Sequence, residues 1–260
     1  MKLASTFSES GFAKEYMSRF VGTSNDAWFD YEKLLKYRRL VNPETKNQIA
    51  NGSNAYYIIS VDLARLNCQS VATILKVFPG VEKYHCNLVN IYILGKTENE
   101  KVFDVQVLEL KRLIHRFEPR EVVIDINGIG VNFADLMIRP TVDPATGITY
   151  PAYGFNNRDE YFRIQPKNAA KILYGIKANV NLNSDMHSSL YTLVYSGNLN
   201  FLISEKEAKN KLMATKLGQR MKIEQRAARL LPHELTSLLL NEIMNLKLKP
   251  TGIESKIAVD

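Results

Sequence analysis

Cysteine is scarce in this chain. Cys68 and Cys86 are the only two among 260 residues, and they form no Cys-x-x-Cys pair, which argues against a disulfide framework and against a cysteine-bound zinc. No Gly-x-x-x-x-Gly-Lys-Ser/Thr loop occurs, so the phosphate cradle of an ATPase is missing. No apolar run approaches the about 20 residues of a membrane span, and the opening Met1-Lys-Leu-Ala-Ser5 lacks the apolar core of a signal peptide. Internal repeats and low-complexity tracts are absent too. Together these absences predict a soluble protein of a reducing, cytoplasmic compartment with no membrane partner.

The residues that are present describe a globular chain. Its 45% hydrophobic and 23% charged residues are enough for one large domain, or one domain with an appendage. The net charge of +7 is unevenly spread. Residues 201–230 hold Lys206, Lys209, Lys211, Lys216, Arg220, Lys222, Arg226 and Arg229 against Glu205, Glu207 and Glu224, and so carry +5 of it. A continuous helix here would set Lys211, Lys222, Arg226 and Arg229 on one face, opposite a buried stripe of Met213, Leu217 and Met221. Such a face suits a polyanion, although a solvated helix surface explains a charge run equally well.

Two aspartates carry the chemistry. Val122-Val-Ile-Asp-Ile-Asn-Gly-Ile-Gly130 is an apolar strand that delivers Asp125 into an Asn-Gly-x-Gly turn, and Tyr56-Tyr-Ile-Ile-Ser-Val-Asp62 ends in the same way. Aspartate after a strand is a common turn former. Two carboxylates brought to the same end of neighbouring strands, however, can share hard divalent cations, which accept carboxylate, water and phosphate oxygens.

The surrounding pattern supplies such neighbours. Strands are predicted at about 56–62, 70–78 and 84–95, with Pro79-Gly80 as the clearest turn. A helix follows on Phe103, Val107, Leu110, Ile114 and Phe117 and stops before Pro119. Next come the Asp125 strand, a helix through Phe133, Leu136 and Met137 ended by Pro140, and a short strand at Tyr153–Asn156. The order β-β-β-α-β-α-β predicts an α/β fold with a mixed central sheet flanked by helices. Further on, His187–Ser196 reads as helix, Leu199–Ile203 as strand, Ala208–Leu231 as a long basic helix interrupted by Gly218, and Pro232 as the start of another helix. Ahead of the core, residues 1–45 are rich in aromatics and residues 47–54 read as a loop, placing the start of the core near Ala55.

With Asp62 and Asp125 on its first and fourth strands, this order resembles the RNase H-like nuclease domain of tailed-phage terminase large subunits. Ser60-Val-Asp-Leu-Ala-Arg65 is similar to the first acidic motif and Val123-Ile-Asp-Ile-Asn-Gly-Ile-Gly130 to the second. Gly11–Gly22 with Trp28-Phe29 resembles the segment that joins packaging ATPase to nuclease. The resemblance implies a connecting segment at 1–54 and an RNase H-like nuclease at 55–260, with the basic helical region as an addition. It implies an endonuclease that cuts concatemeric viral double-stranded DNA during packaging, in the host cytoplasm at the procapsid. The implied partners are the packaging ATPase, the portal and the small terminase subunit.

The resemblance also implies a metal site holding two Mg²⁺ or Mn²⁺ ions, with Asp62 bridging them, Asp125 holding one, and a third carboxylate near the C-terminus. Here that third acid is either Asp260 or a residue beyond it, the second being favoured. DNA contact is expected from Lys211, Lys222, Arg226 and Arg229. Asp185 is a rival third acid, though Asn183-Ser-Asp185 before an apolar run also reads as a helix N-cap. Helix solubility explains Asp135 as well as metal binding does, and Asn127 offers a phosphate or water contact near the metals but is more simply a turn residue. Cys68, His85, His115 and His233 have ordinary structural readings. Two other functions stay open: a resolvase or transposase core of the same fold, and a non-catalytic DNA-binding or assembly module.

Overall fold

The computed structural model describes residues 28–63, 69–95, 102–128, 130–157, 166–246, 248–250 and 257–259. Its centre is an eight-stranded sheet. The strands are β1 (Arg38–Leu40), β2 (Tyr56–Asp62), β3 (Ser70–Pro79), β4 (Tyr84–Leu94), β5 (Glu121–Asp125), β8 (Tyr153–Phe155), β9 (Ala170–Ile176) and β10 (Leu199–Leu202), in the spatial order β1-β10-β4-β3-β2-β5-β9-β8. Only β3 runs antiparallel to its neighbours. β6 (Thr141–Val142) and β7 (Thr149–Tyr150) form a small separate hairpin, as do β11 (Leu248–Pro250) and β12 (Ile257–Val259).

Alternation along β2 explains how the sheet is covered. Tyr57, Ile59 and Val61 are buried, whereas Tyr56, Ile58 and Ser60 are only partly so. The first set meets Val122 and Ile124 of β5, Leu173 of β9, helix α2 (Val102–Phe117) and helix α3 (Gly130–Met137). The apolar stripe of α2 places Val107, Leu110, Ile114 and Phe117 in this layer. Each fully buried side chain of this size contributes about 1.5–3 kcal/mol. The opposite face, over β3, β4 and β10, is covered by α1 (Tyr31–Lys36), α4 (Val180–Tyr195) and α7 (Ile223–Asn245), through Leu34, Val194, Leu240 and Ile243.

The β3–β4 reversal turns on Gly80, whose N–H donates to the Lys83 carbonyl at 3.0 Å. A Cβ at Gly80 would meet that same oxygen at 2.5 Å, so no larger residue fits there. The stretch ahead of the core is irregular but firmly held. Glu44 receives Lys76 Nζ at 3.0 Å and the Tyr57 hydroxyl, and its carbonyl accepts Asn90 Nδ2 at 2.7 Å. Burial, and then the Glu44 carboxylate, hold the Tyr57 hydroxyl far above its ordinary pKa. Arg38–Leu40, within the segment assigned ahead of the core, is itself a strand of the sheet.

Lys111 of α2 is the unusual core residue. It is fully buried, its ammonium donates to the carbonyls of Arg139 and, at 3.0 Å, Pro151, and burial pushes its pKa down to about 8. It ties α2 to the loops that flank the β6–β7 hairpin.

Three elements differ from the sequence reading. β9 (Ala170–Ile176) forms where no strand is predicted and lies beside β5, while Tyr153–Phe155 lies beyond it at the sheet edge. The basic segment is three helices, α5 (Glu205–Met213), α6 (Lys216–Arg220) and α7. Thr215 caps α6 by accepting the Gly218 N–H, and the extended backbone of Met221 and Lys222 separates α6 from α7. Leu217 is consequently 62% exposed and the expected buried stripe does not form. Pro232 lies inside α7 instead of opening a helix. An interior proline costs about 3 kcal/mol or more. Burial of His233, Thr236, Leu240 and Ile243 on that same helix offsets it.

Candidate active site

Asp62 and Asp125 end two adjacent parallel strands. Val61 stands in register with Ile124, so the next residue of each strand follows side by side, with Cα atoms about 5 Å apart at ordinary strand spacing. Strand alternation turns both side chains to the face opposite the α2–α3 layer. Strand ends of this kind are where open α/β sheets bind ligands.

The turn after β5 fixes one carboxylate. Asp125 Oδ1 accepts the Asn127 N–H at 2.9 Å, Gly128 adopts φ +56°, and the Gly130 N–H returns to the Asn127 carbonyl at 3.1 Å. Gly130 packs so closely that a Cβ would meet the Asp125 carbonyl oxygen at 2.1 Å. The Gly-x-Gly of the motif is therefore a packing requirement as well as a turn signal. Asn127 contributes its backbone to this turn.

Electrostatics register the pairing. The Asp62 carboxyl is raised above the usual carboxylate range, first by burial and second by the charge of Asp125, against a lowering hydrogen bond from the Leu63 backbone. Two like charges facing one another disfavour double ionisation. A cation between them would relieve that repulsion, and oxygen-only donors suit hard divalent ions.

Two candidates, Asp260 and Cys68, fall outside the described residues. Asp185 is exposed inside α4, whose N-cap is Asn179, accepting the Leu182 N–H at 2.9 Å, so the N-cap reading of Asp185 is overturned. Asp135 is exposed on α3. Among the described residues no group of three or more His, Cys, Asp and Glu gathers around a possible metal position. His85 meets Asn200 Nδ2 at 2.8 Å, and His115 packs edge-on to Tyr150. His233 is buried with Nδ1 against the Ile203 carbonyl at 3.0 Å, and burial lowers its pKa.

The four cations expected on one helix face are divided. Lys211 pairs with Glu207 at 3.6 Å on α5, Lys222 is the N-cap of α7, and Arg229 is exposed on α7. Arg226 turns inward instead. Its Nη1 meets Met213 Sδ at 3.5 Å, and its Nε is buried with no hydrogen-bond partner among the described residues. It lines a groove of about 460 Å³ between α5 and α7, together with Leu212, Met213, Ile223 and Leu231.

The order β4-β3-β2-β5-β9, with β3 reversed, makes the mixed central sheet flanked by helices that the sequence pattern predicts. The chain is similar in structure to the large terminase nuclease of thermophilic phage G20c with bound magnesium, at 14% identity and a TM-score of 0.45, over 86% of this chain and 84% of that one. It is also similar to the human cytomegalovirus terminase nuclease domain, manganese-soaked and inhibitor-bound, at 12% identity and a TM-score of 0.40, over 74% of each chain. No protein-family model and no curated protein sequence matches the chain.

Proposed function

We propose that the chain is a divalent-metal-dependent endonuclease of the terminase type, cutting double-stranded DNA at Asp62 and Asp125. One observation carries this reading: two carboxylates meet at adjacent parallel strand ends, and the charge of one raises the pKa of the other. Asp62 and Asp125 would hold Mg²⁺ or Mn²⁺, two ions being the arrangement that in-line phosphodiester hydrolysis uses. Bound there, the metal supplies Lewis-acid activation of the attacking water and of the leaving oxygen.

The chain's own residues supply position. The Asn127 N–H fixes Asp125 Oδ1, and Gly130 lets α3 start directly against the Asp125 backbone, so this carboxylate stands on a rigid support. Asp62 ends a strand that is hydrogen-bonded on both sides. Lys222 and Arg229 offer phosphate contacts of low sequence specificity. The packaging ATPase, the portal and a small terminase subunit are the partners that would direct cutting to concatemers.

The test is cleavage of linear and supercoiled duplex DNA with Mg²⁺, Mn²⁺ or excess chelator, repeated with Asp62→Asn and Asp125→Asn. Metal-dependent cutting that both variants lose is the expected result. Wild-type cutting by either variant, or cutting in chelator, overturns the site. Preference for branched over linear DNA would instead assign a resolvase-type activity. The absence of a third acid beside the pair among the described residues favours one second reading, a non-catalytic DNA-binding module. Calorimetric titration with Mn²⁺ separates the two, since that module would bind no ion at Asp62 and Asp125.

A further inference from the structure

Tyr174 lies in the middle of β9, between fully buried Leu173 and buried Gly175, yet is 40% exposed. It stands in register with Val123, while Ile176 stands in register with Asp125. Tyr174 is therefore two residues back along β9 and one strand across from Asp125, about 8 Å between Cα atoms at ordinary strand spacings. Strand parity puts its side chain on the same sheet face as the two carboxylates. Among the described residues no partner takes its hydroxyl.

The backbone beneath it is held on both edges. β5 pairs along one side, and on the other the Asn157 side chain acts as a substitute strand: its Nδ2 donates to the Gly175 carbonyl at 2.7 Å and its Oδ1 accepts the Gly175 N–H at 3.2 Å. An aromatic side chain whose hydroxyl has no partner among the described residues is thus displayed on a fixed strand, within one nucleotide's reach of the carboxylate pair.

We infer that Tyr174 is a substrate-contact residue: its hydroxyl donates to a phosphate next to the scissile one and its ring packs on the adjoining deoxyribose. This rests on the reading of Asp62 and Asp125 as the cleavage site. In a duplex the bases are stacked away from such a surface, so the contact falls on the backbone, where tyrosine hydroxyls are regular phosphate donors. It sets where the strand lies and leaves sequence unread.

Tyr174→Phe removes the hydroxyl alone. The measurements are KM and kcat on linear duplex DNA with Mn²⁺, the Kd for the same duplex in Ca²⁺, Mn²⁺ affinity by calorimetry, and the melting temperature. The expected result is a rise of roughly tenfold in KM and Kd, the loss of one hydrogen bond to a charged acceptor. Over the same comparison kcat stays within twofold and Mn²⁺ affinity and melting temperature are unchanged. Tyr174→Ala should weaken binding further by losing the ring contact. Wild-type KM and Kd in Tyr174→Phe overturn the inference, and so does a loss of Mn²⁺ binding or of melting temperature in that variant. Weaker DNA binding by Tyr174→Phe in a chain that cuts nothing would keep the contact while removing the nuclease reading, so the two fail separately.

Discussion

Replacing Gly130 with alanine should damage the carboxylate pair without touching a carboxylate. The added Cβ would sit 2.1 Å from the Asp125 carbonyl oxygen and 3.0 Å from its carbonyl carbon. Both atoms are backbone, so no side-chain rotation relieves the overlap, and α3 or the end of β5 must move. Overpacking of this kind costs about 1–3 kcal/mol, and a backbone clash belongs at the upper end. In a chain of this length each kcal/mol lowers the melting temperature by about 2–4 °C, which gives a loss of roughly 6–12 °C. Gly128→Ala is the control. No described residue lies within 4 Å of a Cβ added there, and the strain comes from the φ of +56°, about 1–2 kcal/mol. Thermal melts and Mn²⁺ calorimetry on both variants check this. Gly128→Ala should melt a few degrees lower and still bind Mn²⁺, whereas Gly130→Ala should lose more stability and its Mn²⁺ affinity together. A Gly130→Ala protein with wild-type melting and Mn²⁺ binding would refute the argument that the turn supports Asp125.

Because the Asp62 carboxyl is raised in the folded state, the native protein holds more of this proton than the unfolded chain, and metal-free stability should fall as pH rises through the carboxylate range. Asp62→Asn should flatten that part of a pH–stability profile, and Mn²⁺ should reverse it in the wild type; a profile identical in wild type and variant contradicts the pairing. Lys111 works in the opposite direction. With its pKa at about 8 against an ordinary 10.5, the unfolded chain binds the extra proton, so stability should rise between those values. Lys111→Met should abolish that rise and leave the Arg139 and Pro151 carbonyls without this donor, at about 1–3 kcal/mol each. Denaturant melts at pH 7 and pH 10 measure both effects. Neutralising Lys222 and Arg229 should reduce the salt slope of duplex binding by roughly two units. Adding Arg226→Met should change it no further, since that side chain faces the α5–α7 groove, and titrations across a salt series would show it. Ca²⁺ should support DNA binding without cutting, because its longer, looser coordination misplaces the water; cleavage in Ca²⁺ as fast as in Mg²⁺ would count against a two-ion site.

What could be read beforehand follows from where one physical signal dominates. β2, β5 and α2 are covered on a face or stripe, so their apolar periodicity marks them, and Pro79-Gly80 at the end of β3 and Pro119 after α2 punctuate the pattern. β9 carries no comparable mark. Ala170, Lys171 and Tyr174 are exposed and Gly175 interrupts the apolar residues, so the strand beside β5 is visible only through its pairing. The breaks at Thr215 and Met221 are hidden for a related reason, since neither glycine nor proline forms them, while Pro232, which should stop a helix, is carried through by packing. The carboxylate pair was legible because each aspartate closes an apolar run. Their adjacency depended on strand order, which only the assembled sheet fixes. The exposure of Tyr174 and the inward turn of Arg226 are properties of tertiary placement, and no local pattern encodes them.

The joint between β2 and β5 bears on when activity can appear during synthesis. Asp62 and Asp125 are brought together by a connection that passes through a hairpin and a helix, so their strands meet only after a long stretch of chain has been ordered. Such distant pairings form late and slowly, because loop-closure entropy must be overcome before any contact rewards it. A nascent chain that has released β2 and β3 has no site, and neither does one in which α2 has formed but β5 is still unpaired. Any chemistry that needs both carboxylates is thereby withheld from partly folded molecules until the sheet is complete.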